Sequence, residues 1–316
     1  MSDSLPIPVS VMMLTFNEEA NLARNLLTLA EWADDIVIVD SFSNDRSLEL
    51  ARQFGARVFL HTFESHARQW LWGMQNITFK HDWIFMHDPD HRVMPELRVE
   101  LLEMFRAGVP PDVDGLYVKR RNVFQGQWIR HGGYYPVYML KIVRRGRVSF
   151  DEREFDYRAY VPGRTLKLRH DIIEENLKEE NITFWIDKHN DFASRQAEEE
   201  LYRASNPDQW KTTPSFFGTP DQRTLWLKIR WYKMPLYLRP FLYFGYRYFL
   251  RFGFVDGKKG FVFHFLQSFW YRLLVDIKIE QLKAGRSVQA VPIVSGETRE
   301  ECKQAEVQAK AVRSVS

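Results

Sequence analysis

Val9-Ser10-Val11-Met12-Met13-Leu14, followed at once by Thr15-Phe16-Asn17-Glu18-Glu19, decides the reading of the fold. A short apolar run that stops at polar residues is the pattern of a strand buried on both faces. Asn17 to Leu29 then reads as a helix, with Leu22, Leu26, Leu27 and Leu29 available for one face. The alternation continues outward. Ile36 to Val39 is a second strand, Leu48, Leu50 and Ala51 mark a second helix, and Arg57 to Leu60 is a third strand. His66 to Met74 is a third helix and Trp83 to Met86 a fourth strand. Short β-branched runs alternating with helical patterns imply parallel strands joined by crossover helices. The expected class is α/β, with a Rossmann-like, doubly wound, mostly parallel sheet flanked by helices. Ligands gather beyond the carboxyl ends of such strands, so the residues just after each run deserve inspection.

The 316 residues, 45% hydrophobic and 27% charged, suffice for one large domain and an appendage. A net charge of +3 is too small to argue for nucleic acid as a partner. One cysteine, Cys302, allows neither an internal disulfide nor a structural zinc site. Met1 to Pro6 carries no basic segment, and the apolar run after it is broken by Thr15, Asn17 and Glu18, so no secretory signal is read there. The expectation is a cytoplasmic protein.

Three strands end in polar or acidic residues: Thr15 to Glu19, Asp40-Ser41-Phe42-Ser43-Asn44-Asp45, and His87-Asp88-Pro89-Asp90. All three should meet on one edge of the sheet. Helix capping accounts as well for Asn17, Asn44 or Asp45 taken singly. Asp88 and Asp90 ask for more, because two carboxylates one residue apart repel unless something positive stands between them. A divalent cation suits that place: Mg2+ or Mn2+ takes hard oxygen ligands and keeps positions open for phosphate.

With these motifs in this order, the chain resembles the family 2 glycosyltransferases of the GT-A fold. The matching residues are Leu14 to Glu19, Val39 to Asp45, and Asp88-Pro89-Asp90. The resemblance implies that Thr15, Asn17 and Glu18 line the nucleotide site, with Asp40 recognising the base and Ser41 beside it. It places Asp88 and Asp90 against the donor diphosphate, holding the metal. Phe63 to Gln69 resembles the segment that closes over the donor, where Arg68 or Gln69 would reach a phosphate; an ordinary helix start is the other reading. The implied reaction is inverting transfer from a nucleotide sugar, with uridine the common base of the family.

Displacing a nucleoside diphosphate builds negative charge on the leaving group, and the acceptor hydroxyl must lose a proton. Candidates for the base crowd at Asp151 to Asp156. In the family an acidic residue before a Gly and a later His supplies it. Gly163 and His170 stand at comparable offsets and favour Asp156, but Asp156 is followed by Tyr157, unlike the usual paired form, so Glu154 and Glu152 stay open. Gly126 to Pro136 and His170 to Asn176 resemble segments of bacterial transferases that build lipopolysaccharide core or exopolysaccharide. By that resemblance Arg130, His131 and His170 become candidates for acceptor or diphosphate contacts, set against a plain turn at Gly132-Gly133 and a satisfied histidine.

From Trp226 to Phe254 aromatic residues interleave with Lys228, Arg230, Lys233, Arg239, Arg247 and Arg251. Those cations interrupt every stretch long enough to span a bilayer. Rings with snorkelling basic residues suit the headgroup level of an anionic leaflet instead; a packed helical subdomain or an oligomer interface is the competing reading. Pro235 and Pro240 should divide the region into short helices, with a turn over residues 253–260 and an aromatic helix from Phe261 to Leu274. The expected layout is a catalytic domain over 1–222, a helical membrane-associated region over 223–287 and a loose tail over 288–316. The expected partners are a nucleotide sugar, a lipid-linked or glycan acceptor and the inner face of the cytoplasmic membrane; oligomeric state is not legible. Two other readings stand: nucleotidyl transfer, for which no Gly-rich basic loop follows the first strand, and a sugar-nucleotide-binding protein without catalysis.

Overall fold

The computed structural model describes residues 6–150, 158–206, 213–217 and 220–285, which form two compact units. The first comprises residues up to Arg130 and Tyr134–Asn181; the second holds His131–Gly133 and the helices from Ile182 onward.

The first unit opens with β1 (Val9–Thr15), α1 (Glu19–Leu29), β2 (Ile36–Asp40), α2 (Ser47–Gln53), β3 (Arg57–Leu60), α3 (His66–Asn76) and β4 (Trp83–Met86). It continues with β5 (His91–Val93), α4 (Pro95–Ala107), β6 (Val113–Phe124), β7 (Gln127–Ile129), β8 (Val137–Arg144), β9 (Ser149–Phe150), β10 (Ala159–Tyr160) and β11 (Arg164–Glu174). The main sheet runs β3-β2-β1-β4-β8-β6-β11-β5, with β7 added to β6. Its first four strands are parallel, as expected. The rest corrects the mostly parallel reading. β8 runs antiparallel to both β4 and β6, and β5 antiparallel to β11, so the sheet is mixed. The residues after Val118 follow no regular apolar pattern, which conceals these strands in the sequence. β6 and β11 carry Lys and Arg on partly exposed positions and so lack the apolar run that marks a fully buried strand.

Alternate residues of the parallel strands feed two cores. Val9, Val11, Met13, Ile38 and Phe85 face Leu22, Leu26 and Leu29 of α1 and Leu97 and Leu101 of α4. Met12, Val37, Val39, Ile84 and Met86 face Ala67 and Trp70 of α3. Burial on both faces is why β1 reads as an unbroken apolar run. Gly73 lets α3 approach β1: a Cβ there would stand 1.9 Å from the Met12 methyl.

The second unit is helical: α5 (Ile182–Ser205), α6 (Pro220–Tyr232), α7 (Leu238–Gly245), α8 (Gly257–His264) and α9 (Tyr271–Lys283). Wider π turns over Tyr246–Leu250 and Phe265–Trp270 extend α7 and join α8 to α9. The turn read over 253–260 is confined to a 3-10 turn at Gly253–Asp256, and the helix starts at Gly257, ahead of Phe261. α5 and α9 pack through Ala193, Ala197, Tyr271, Val275 and Ile279. Beside them the buried Arg239 is held by Glu200 at 2.9 Å and by Asp276. α5 therefore groups with the C-terminal helices, ahead of the limit at residue 222 drawn from composition. Residues 288–316 lie outside the described residues.

Candidate active site

The carboxyl ends of β1, β2 and β4 are stitched into one rim. Thr15 Oγ1 donates to Asp40 Oδ2 at 2.7 Å, which ties β1 to β2. The chain then turns through Phe42 at φ +65°, and Ser43 folds back to give Asp40 its backbone N–H at 2.7 Å and its hydroxyl at 2.6 Å. Burial pushes the Asp40 carboxyl above its ordinary range, against the bonds from Ser43 and Thr15. Asn17 sits at φ +52°, a conformation an Asn tolerates; its N–H reaches Ser43 Oγ at 2.8 Å and its Oδ1 accepts from Asn44 N–H at 2.9 Å. Glu18 takes Lys178 Nζ at 2.8 Å and Asn21 Nδ2 at 2.8 Å.

β4 joins the rim through α1. The buried Asn25 amide donates to the Asp88 carbonyl at 2.8 Å and to the His91 carbonyl, which fixes the loop between β4 and β5. Pairing of β5 with β11 sets His91 opposite Glu174. Asp88, Asp90 and Glu174 therefore converge on one imidazole: His91 lies 3.3 Å from Asp88, 3.3 Å from Glu174 and 3.9 Å from Asp90.

Each carboxylate but one has a dedicated cation. Lys141 of β8, 1% exposed, bonds Asp88 through Nζ. Burial would raise the Asp88 carboxyl, but Lys141 and then His91 hold it well below the usual range. Burial likewise opposes ionisation of Glu174, and the Arg120 guanidinium with the His91 bond outweighs it and brings it to about 2. Asp90 has no such partner among the described residues beyond His91 at 3.9 Å. Burial, together with the negative charges of Glu174, Asp88 and Glu18, pushes Asp90 up to about 6. Behind the loop, His87 is fully buried between Phe85 and His91, and burial pulls its pKa well below the ordinary value.

No three His, Cys, Asp or Glu side chains stand as a ready metal cage among the described residues. Mg2+ and Mn2+ do not need one, since they keep waters and use one or two carboxylates beside substrate phosphates. Asp90 fits such a role: it carries like charges on three sides, and a cation would relieve them. Asp88 enters with one oxygen already on Lys141.

The remaining candidates are distributed differently. Gln69 is buried, its amide held by Ser41 Oγ at 3.1 Å and its Oε1 by His61 at 2.7 Å, so it braces the end of β2. Arg68 pairs with Glu64 at the exposed start of α3. His170 lies on β11 against Glu100 of α4 at 2.9 Å, and the Arg130 guanidinium covers Trp128 at 5.3 Å. His131, in the second unit, donates its backbone N–H and Nδ1–H to Asp256 at 2.9 and 2.7 Å. Glu152, Glu154 and Asp156 lie outside the described residues. Sequence reasoning passed over Lys141, His91, Arg120 and Lys178. Lys141 had a signal, a single lysine inside the run Met139-Leu140-Lys141-Ile142-Val143. A cavity of about 450 Å³ opens at the opposite, amino ends of β2 and β3 beside Asp35 and Arg57, but these two already pair with each other at 2.7 Å.

A polar rim at the carboxyl ends of parallel strands, with paired carboxylates after the fourth, stands where ligands gather on an α/β sheet. Residues 10–162, just under half of the chain, match the model of glycosyl transferase family 2, so this stretch resembles a family 2 glycosyltransferase domain. It is similar to the lipopolysaccharide core biosynthesis glycosyltransferase LpsC of Rhizobium meliloti, 25% identical over 67% of this chain and 79% of that one. It also resembles an uncharacterized glycosyltransferase of Rickettsia bellii, 30% identical over 34% of this chain; that alignment spans only 36% of the relative's length. Among solved structures, glucosyl-3-phosphoglycerate synthase from Mycobacterium tuberculosis, in complex with Mn2+, UDP and glucosyl-3-phosphoglycerate, matches 36% of this chain and 44% of its own. The identity there is 18% and the TM-score 0.30, too low to equate the folds.

Proposed function

We propose that this protein transfers a sugar, with inversion, from a nucleotide sugar, UDP-linked by preference, to a lipid-linked or glycan acceptor in cell-envelope lipopolysaccharide or related polysaccharide synthesis. The observation that carries the reading is the carboxylate cluster after β4, in which Asp90, among the described residues, has no cation closer than His91 at 3.9 Å and is pushed up to about 6. A Mg2+ or Mn2+ ion bound with the donor diphosphate would supply the missing positive charge. The bound metal would stabilise charge on the departing diphosphate as a Lewis acid. Asp90 and the free oxygen of Asp88 would hold it, while Lys141 and Asn25 keep the loop from reorganising. Thr15, Asn17, Glu18, Asp40 and Ser41 shape the nucleotide side of the rim. Glu152, Glu154 and Asp156 remain the candidates for taking the acceptor proton, with Arg130, His131 and His170 on the acceptor or diphosphate. The likeness to LpsC supports the acceptor class. No helix among the described residues is long and apolar enough to cross a membrane, and the aromatic, basic second unit supports work at the inner membrane surface.

Calorimetry with UDP and Mn2+ on the wild type and on Asp90→Asn tests the reading. The wild type should bind UDP only with the metal, and the variant should bind at least about 100-fold more weakly while keeping its fold. Metal-independent binding of equal strength in both proteins would remove the proposed role of Asp90.

A further inference from the structure

The rim does not account for the hairpin formed by α7, its π extension, the 3-10 turn and α8. We infer that the bend of this hairpin, Phe249 to Val255, enters the surface of an anionic lipid leaflet, while α5 and α9 stay in water as its support. The inference rests on the membrane reading above and names the element that makes the contact.

Five large apolar side chains crowd the bend at high exposure: Phe249 58%, Leu250 72%, Phe252 60%, Phe254 47% and Val255 55%. In a water-facing protein a contiguous patch of this kind marks an interaction surface. The rings also touch one another, with Phe252 and Tyr248 6.1 and 6.3 Å from Phe254 and Tyr248 5.6 Å from Phe261. The display is held in place. Asp256 accepts two bonds from His131, Gly132 N–H donates to the Arg251 carbonyl at 2.9 Å, and Arg247 donates to the Gly132 carbonyl at 2.7 Å. Gly132, at φ +69°, presses so closely on this knot that a Cβ would stand 2.0 Å from His264. An exposed apolar bend fixed in advance loses little conformational freedom when it docks.

Charge selects the occupant. Between Gln222 and Val275 the chain has ten Lys and Arg residues and one acid, Asp256, which is buried and bonded to His131. Arg251, Lys258 and Lys259 are exposed beside the apolar bend. A second copy would bring the same positive charge, whereas an anionic leaflet attracts each cation by about 1 kcal/mol. Reach sets the depth. The helical stretch from Leu238 to Leu250, 13 residues long, extends about 20 Å, short of the roughly 30 Å hydrocarbon core. The bend therefore enters one leaflet only. α5 and α9 are excluded because their apolar faces already cover each other, next to the buried Arg239, Glu200 and Asp276.

The test uses the full-length protein in vesicle sedimentation, comparing phosphatidylglycerol-containing vesicles with pure phosphatidylcholine. The wild type should pellet with the anionic vesicles. The triple variant Phe252→Ser, Phe254→Ser, Val255→Ser should bind at least tenfold more weakly with an unchanged melting temperature, and Lys258→Gln with Lys259→Gln should lose binding to the anionic vesicles. Leu227→Ser on α6, equally exposed at 58%, should bind as the wild type does. If the triple variant binds undiminished while the wild type pellets, the bend is not the contact. If the wild type ignores anionic vesicles, the membrane reading itself fails. A lipid-free wild-type dimer that the triple variant converts to monomer would assign the bend to a second copy.

Discussion

The two units place polar and apolar residues in opposite ways. In the first, carboxylates and cations are drawn into the rim and paired: Asp88 with Lys141, Glu174 with Arg120, Glu18 with Lys178. Among its described residues only Leu27 and Val99 are large apolar side chains left exposed. Among the described residues of the second, sixteen such side chains lie outside, while Arg239, Asp276 and His264 are buried. Exposed rings in one contiguous patch mark an interaction surface, so the contrast separates a unit whose charges are paired along one rim from one that displays its apolar side chains.

The largest effect that would sharpen this contrast is expected at Lys141. Replacing Lys141 with Met leaves Asp88 without its fixed cation and should cost about 3 kcal/mol in denaturant unfolding, the low end for a broken buried pair because Asp88 keeps 31% of its side chain open. A loss below about 1 kcal/mol would mean that His91 alone suffices for Asp88.

Next comes an acid dependence that belongs to the second unit. Burial pulls the His264 imidazole down to about 4 from 6.5, against the attraction of Asp256. The unfolded chain takes up the proton first as pH falls, so stability is full above about pH 6.5 and is lost towards pH 4. Between pH 7 and pH 5 this amounts to about 2 kcal/mol, and His264→Leu should abolish that part of the slope. An unchanged slope in the variant would show that His264 is not the titrating group.

The smallest effect has the opposite sign and belongs to the first unit. Asp90 is raised to about 6 when folded and titrates near 3.8 when unfolded, so its contribution is present below pH 3.8 and is lost as pH rises through 6. Asp90→Asn should therefore stabilise the protein by about 1 kcal/mol at pH 7 while weakening donor binding. A lower melting temperature at pH 7 would contradict the crowding of like charges inferred at this loop.

Much of the rim was legible because its residues follow apolar runs directly. β1 to β4, the polar endings after three of them, and the acidic pair at Asp88 and Asp90 all have local signatures. β11 had none and β8 only a lone lysine within its apolar run, and the neighbours of both strands could not be inferred from the run of residues. The places of Lys141 and Glu174 in the cluster therefore came only from the fold, as did the roles of Gln69 and His170 as braces against Ser41 and Glu100.

By itself the sequence determined the parallel strands with their helices, the polar ending of three of them, and a C-terminal region rich in aromatic residues and too charged to span a bilayer. These are properties of short segments, set by side-chain periodicity and by what each residue type costs to bury. Only the tertiary structure decided which cation serves which carboxylate, which carboxylate is left over, and which apolar side chains stay outside. Those outcomes depend on strands and helices far apart in the chain meeting at angstrom distances, where burial and Coulomb interactions become strong enough to separate Asp88 from Asp90.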